Sequence, residues 1–227
     1  VKQWKNLDEK LANKVATAGY GSRSGVVAAA RFLAGMPYAV PYLGSKRGST
    51  TVGSYPYMGL NNTWGQRVTA AGEVYNRNGF DCTGFLTWAM INGGVLSELE
   101  GVESVYSDTT GLKRSAEAID QIKVGDWMYN DGSDNGQTVF HVGIIIGEDS
   151  EYFYVAEEIG SSLIITRFSK SQGCAIDDDG KELPGRLTSV RLADERYPSV
   201  GNYFDENGNY TFSEDWYDIN KNKVGTW

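Results

Sequence analysis

Histidine is almost missing from this chain: His141 is the only one in 227 residues. A zinc site built on paired histidines is thereby excluded, and any hydrolase that couples a serine or cysteine nucleophile to an imidazole must use His141. Positive charge is also scarce, with 21 Lys and Arg against 29 Asp and Glu and a formal net charge of −8. Nucleic-acid binding depends on clustered Lys and Arg that displace counterions, so no nucleic acid is expected as a partner. The same charge gives no attraction toward an anionic wall or membrane, and targeting to such a surface would need a specific site. No apolar run approaches the roughly 20 residues of a membrane-spanning helix. Val1-Lys2-Gln3-Trp4 does not open like a signal peptide. Two cysteines, Cys82 and Cys174, are too few for a disulfide framework; they form one bridge, or one is a working thiol and the other a bystander.

What is present describes an ordinary globular protein. Hydrophobic residues make up 41% and prolines number five, which excludes a disordered or fibrous chain, and the length suits one domain with insertions. Residues 4–18 read as a short, exposed N-terminal helix. Ser24 is a candidate cap for a helix carrying Val26, Val27, Ala30, Phe32, Leu33 and Ala34, which stops at Gly35-Met36-Pro37. Residues 44–79 are rich in Gly, Ser, Thr, Asn and Tyr and lack periodicity, as expected of a long loop shaping a cleft. From Cys82, the residues Phe85, Leu86, Ala89 and Met90 recur at spacings of three and four and share a helical face, ended by Gly93-Gly94. A helix over 111–121 precedes strands over 126–129, 138–147, 151–157, 162–168 and 187–192. Asn207-Gly208 marks a turn between Phe204 and Tyr210, in an aromatic tail expected to form a second cleft wall.

Cys82 sits at the start of its helix, where free backbone N–H groups and the helix dipole favour a thiolate. A cysteine on an apolar face is more often a small buried hydrophobe, and a lone strand histidine is more often structural. Three stretches of sequence weigh against both. Asp81-Cys82-Thr83-Gly84-Phe85 resembles the D-C-[ST]-G-[FL] signature of the NlpC/P60 family of papain-like cell-wall cysteine peptidases. His141-Val142-Gly143-Ile144-Ile145-Ile146-Gly147 resembles that family's H-V-G-I-x-I-G strand, with Gly125-Asp126 like the G-D that opens the strand before it. Pro41-Tyr42-Leu43-Gly44 resembles the P-Y-x-x-G-G element whose tyrosine approaches the nucleophile; Pro37-Tyr38 is the alternative.

The resemblance spans roughly residues 24–170. It implies an α+β, papain-like NlpC/P60 fold, with the nucleophile-bearing helix packed on an antiparallel sheet. The whole of 1–227 would be one catalytic domain with an N-terminal helical extension (about 1–23), an insertion (about 44–79) and the aromatic tail (about 199–227). It implies Cys82 as nucleophile, His141 as base, and Tyr42, Asp81 and Thr83 beside the substrate. The implied activity is endopeptidase cleavage of peptidoglycan stem peptides, between D-glutamate and a diamino acid, by a monomer in the secreted or cell-envelope space, its signal peptide absent from the sequence in hand. No metal or cofactor is required. A CHAP-like N-acetylmuramoyl-L-alanine amidase and a catalytically silent wall-binding module are the two rivals.

The third residue, which orients the imidazole, departs from the family's usual His, Asn or Gln. The strand facing His141 reads Tyr152-Phe153-Tyr154-Val155-Ala156-Glu157-Glu158. Opposed residues of an antiparallel hairpin point to one face. A three-residue loop at 148–150 pairs 147 with 151 and sets Glu157 opposite His141, whereas a two-residue loop selects Glu158. Glu157 is preferred, because Val155-Ala156-Glu157 follows the family's apolar-apolar-polar run. Cys174 is assigned no role, and the acidic stretches at 177–180 and 205–209 lack calcium-loop spacing and read as polar turns.

Overall fold

In the computed structural model, the described residues are 2–35, 66–68, 74–76, 82–97, 110–111, 119–130, 141–159, 162–217 and 221–227. The N-terminal helix α1 (Lys2–Ala18) carries Leu11, Val15 and Ala18 at helical spacing, and all three are buried. It packs on α2 (Arg23–Ala34) and shares the central core. The exposed extension expected from sequence is thus part of the core, because three apolar positions at a helical period suffice to make a buried stripe even when charged residues surround them.

Ser22, rather than Ser24, caps α2: its backbone is extended and its hydroxyl accepts from the Gly25 N–H at 3.1 Å. Ser24 lies inside the first turn, where its hydroxyl donates to the Val200 carbonyl at 2.6 Å and accepts from the Tyr203 N–H at 3.0 Å. Two buried arginines project from α2. Arg23 donates to Asp126 at 2.9 Å and to Asp194, so the Gly125-Asp126 motif ties α2 to the sheet. Arg31 donates to the main-chain oxygens of Ile146 at 2.7 Å and Trp227 at 2.6 Å.

Helix α3 (Cys82–Asn92) is buried along its length from Thr83 onward, instead of on the single face expected. The sheet covers one side and α2 the other. The helices meet closely at Gly93, where a Cβ would fall 2.6 Å from the backbone of Val26. Gly93→Ala is therefore expected to destabilise the fold by about 1–3 kcal/mol, seen as a melting point lower by several degrees. An unchanged melting point would mean that the helices separate at no cost.

Among the described residues a seven-stranded antiparallel sheet faces these helices in the order β3-β9-β4-β5-β6-β7-β8. Its strands are β3 (Thr110–Gly111), β4 (Trp127–Asn130), β5 (His141–Glu148), β6 (Tyr152–Ile159), β7 (Ser162–Ser169), β8 (Cys174–Ile176) and β9 (Ser189–Arg191). Two short ribbons stand apart, β1 (Gln66–Val68) with β2 (Val74–Asn76), and β10 (Asp215–Tyr217) with β11 (Lys223–Thr226). The class is α+β. Most of the segment 44–79 and of the helix expected over 111–121 lies outside the described residues; at 110–111 the chain is a strand. None of the described helices is long and apolar enough to cross a membrane.

The tail turns as expected at Asn207-Gly208, where Phe204 bridges Tyr210 and the Asp205 carboxylate accepts from the Asn207 and Asn209 N–H groups. The described aromatics of the tail pack on one another, on Arg31 and on Tyr154. Trp227 stacks on Tyr154 and on Trp216, and Arg31 lies over Trp216 and Phe212. Trp227 thus borders Gly147 on β5, six residues from His141 and so roughly 20 Å away at strand rise.

Candidate active site

Cys82 is the first residue of α3 and is half-buried, at the helix end where N–H groups and dipole favour negative charge. His141 is the first residue of β5 and is buried, paired with Asn130 on β4. The Cys82 thiol lies close enough to the ring to raise its proton affinity. On the far side of the ring, Nε2 meets Glu157 Oε2 at 2.7 Å.

Burial opposes a charge on His141, but the hydrogen bonds to Cys82 and Glu157 and their negative charges outweigh it and raise the imidazole pKa from 6.5 to about 9. Burial likewise pushes the Glu157 carboxyl up, yet the His141 hydrogen bond and the Arg186 charge hold it below its ordinary value. The arrangement is suited to a thiolate–imidazolium pair at neutral pH.

Glu157 reaches His141 by a register other than the expected one. Near the turn Glu148 pairs with Phe153 and Gly147 with Tyr154, but beyond a bulge between Ile145 and Gly147 the pairs become Ile145 with Val155 and Gly143 with Glu157. The turn itself occupies 149–151, with Asp149 Oδ1 accepting from the Glu151 and Tyr152 N–H groups at 2.8 Å. The bulge inserts one residue, and without it the register at the turn would carry Glu158 onto the face of His141. Arg31 donates to the carbonyl of Ile146, the bulged residue. Glu158 is also buried, but alternation along β6 turns it to the opposite face.

Glu157 consequently lies opposite Gly143 and leans diagonally toward His141. A Cβ on Gly143 would fall 3.0 Å from the Glu157 Cβ and 2.7 Å from Val155 Cγ1. The glycine of the H-V-G stretch thus leaves the space through which the carboxylate lies against the imidazole. Gly143→Ala is expected to displace Glu157 and lower any turnover by about 10-fold or more, since sub-ångström misplacement in a catalytic array is costly. Steady-state assay of a folded Gly143→Ala protein with full activity would refute this.

Two further residues complete the cluster and were not legible in the sequence. Thr166 on β7 and Arg186, in the segment before β9, both donate to Glu157 Oε1, and Arg186 Nη2 also donates to Thr166 Oγ1 at 3.1 Å. Thr166 carries a weak signal, since it alternates to the face of Glu157 once the β6–β7 register is known. Arg186 comes from an irregular segment and carries none.

Of the residues expected beside the substrate, Thr83 is buried in the first turn of α3, while Tyr42, its alternative Tyr38, and Asp81 lie outside the described residues. Neither cysteine is in a disulfide; Cys174 is buried on β8 and contacts Gln172 Oε1 at 3.8 Å. Among the described residues no cluster of His, Cys, Asp and Glu is able to hold a metal ion. Compared with family models, with curated proteins and with solved structures, the chain matches none.

Proposed function

We propose that this chain is a papain-like cysteine hydrolase of the NlpC/P60 type, which cleaves amide bonds of peptidoglycan stem peptides with Cys82, His141 and Glu157. The observation that carries the reading is the sole imidazole hydrogen-bonded at 2.7 Å to a buried carboxylate, with the helix-start thiol of Cys82 acting on the same ring. In the proposed reaction the Cys82 thiolate attacks the carbonyl carbon, forming the C–S bond as the carbonyl π pair moves to oxygen. The Cys82 backbone N–H, at the start of α3, is assigned to that oxyanion. Collapse breaks the C–N bond while His141 gives its proton to the departing amine. Water then attacks the thioester as neutral His141 takes its proton; the C–S bond breaks and the thiolate–imidazolium pair is restored. The substrate class, the D-glutamyl–diamino acid bond and the secreted or cell-envelope location rest on the motif resemblance.

A carboxylate as third residue favours one alternative, the CHAP-like amidase, in which glutamate often holds this place. Mass spectrometry of digested peptidoglycan of known chemistry separates the two. Fragments cut within the stem, with a diamino acid at the new amino terminus, support the endopeptidase, and whole stems freed from the glycan support the amidase. Unchanged peptidoglycan would leave neither standing.

A further inference from the structure

We infer that Arg186 is a positioning residue of this site, anchoring Glu157 Oε1 so that Oε2 is presented to His141; the assignment rests on Cys82, His141 and Glu157 being the catalytic groups. Glu157 is completely buried, and an ionised carboxylate there is costly unless both oxygens are satisfied. His141 from β5 takes one oxygen. Arg186 and the Thr166 hydroxyl from β7 take the other, and Cys82 from α3 stands beyond the imidazole.

The geometry differs from that of an ion pair serving the fold alone. An arginine and a carboxylate left to themselves favour a two-pronged fork using both oxygens. Here Arg186 engages a single oxygen through Nη2, its buried Nε has no partner among the described residues, and the second oxygen is kept for the imidazole.

The main chain next to Arg186 is also held in an unfavourable conformation. Leu187 has φ of 51°, in the left-handed region that a branched residue seldom adopts. Its side chain is buried, its N–H donates to Asn130 Oδ1 at 2.8 Å, and the Thr188 N–H donates to the Tyr129 carbonyl at 2.7 Å. Asn130 is the cross-strand partner of His141. The strand that supports the base therefore also sets the arginine, and backbone strain of this kind persists where the surroundings over-determine it, commonly at functional sites.

Because the chain has one histidine, nuclear magnetic resonance of the labelled imidazole reads its pKa directly and without substrate. In Arg186→Met, burial is expected to return a proton to Glu157, and the His141 pKa should fall by about one unit, a tenfold change in proton affinity. Arg186→Lys should restore most of it. Arg186→Gln, which keeps a donor and loses the charge, should move in the same direction as Arg186→Met and serves if that variant does not fold. In a Glu157→Gln background, Arg186→Met should cause no further shift. A pKa that stays or rises in both neutral variants, or a shift of equal size without Glu157, would overturn the assignment. A wild-type imidazole titrating near 6.5 would overturn the catalytic reading together with it. A lowered pKa in a protein inert toward peptidoglycan would support the role of Arg186 and reject only the proposed substrate.

Discussion

Cys82→Ala and His141→Ala are each expected to reduce the proposed hydrolysis of peptidoglycan by about 10³-fold or more while leaving the chain folded. Loss of the thiol removes the atom that forms the acyl intermediate, and no second nucleophile takes its place: Cys174 is on β8, separated from β5 by β6 and β7. Loss of the imidazole removes the proton donor for the leaving amine and the cation that stabilises the thiolate. With a single histidine in the chain, nothing substitutes for it. Because the two groups act as a unit, the double variant should be scarcely worse than either single one. Amine release from purified peptidoglycan measures the loss, and circular dichroism measures the fold. A well-folded Cys82→Ala protein with wild-type turnover would reduce the cluster to a structural one, as in a silent wall-binding module.

Glu157→Gln is expected to carry the next largest effect, about 10- to 100-fold near pH 8, whereas Glu158→Gln should leave the proposed turnover nearly unchanged. The sign follows from His141, whose imidazolium persists to about 9. Activity that needs this cation falls as pH rises through that value. Replacing the carboxylate by a neutral amide removes the charge that favours imidazolium, so the alkaline limb moves down toward 6.5 and the pair is largely lost at pH 8. Stability changes in parallel. A raised folded-state pKa stabilises the fold fully below about 6.5, and that contribution is lost as pH rises through about 9. Glu157→Gln should therefore flatten the loss of stability between neutral and alkaline pH, measured by denaturant unfolding. If Glu158→Gln proves the more damaging, the pairing of Gly143 with Glu157 does not hold in solution.

The single histidine, the helix-start cysteine and the short motifs around both were legible from residue types and spacing alone. They depend on local chemistry, namely the scarcity of one residue, the end of a helix and the period of a strand. The strands over 151–157 and 162–168 and the helix beginning at Cys82 were readable for the same reason. Other features were not. The mixed charges of α1 hid the buried stripe of Leu11, Val15 and Ala18, and composition says nothing about which strand the aromatic tail meets, where Trp227 stacks on Tyr154.

By itself the sequence determined that any imidazole chemistry must use His141 and that Cys82 would sit where a helix dipole favours a thiolate. Which glutamate serves the imidazole was a tertiary decision. Hairpin loop length left Glu157 and Glu158 both open, through pairings that do not occur, and the bulge at Ile146, braced by Arg31 from a distant helix, is what brings Glu157 onto the face of His141. Arg186 was likewise invisible, since its contact with Glu157 spans 29 residues and depends on a strained turn at Leu187. Such contacts follow from sheet register and chain crossings, which no local periodicity encodes.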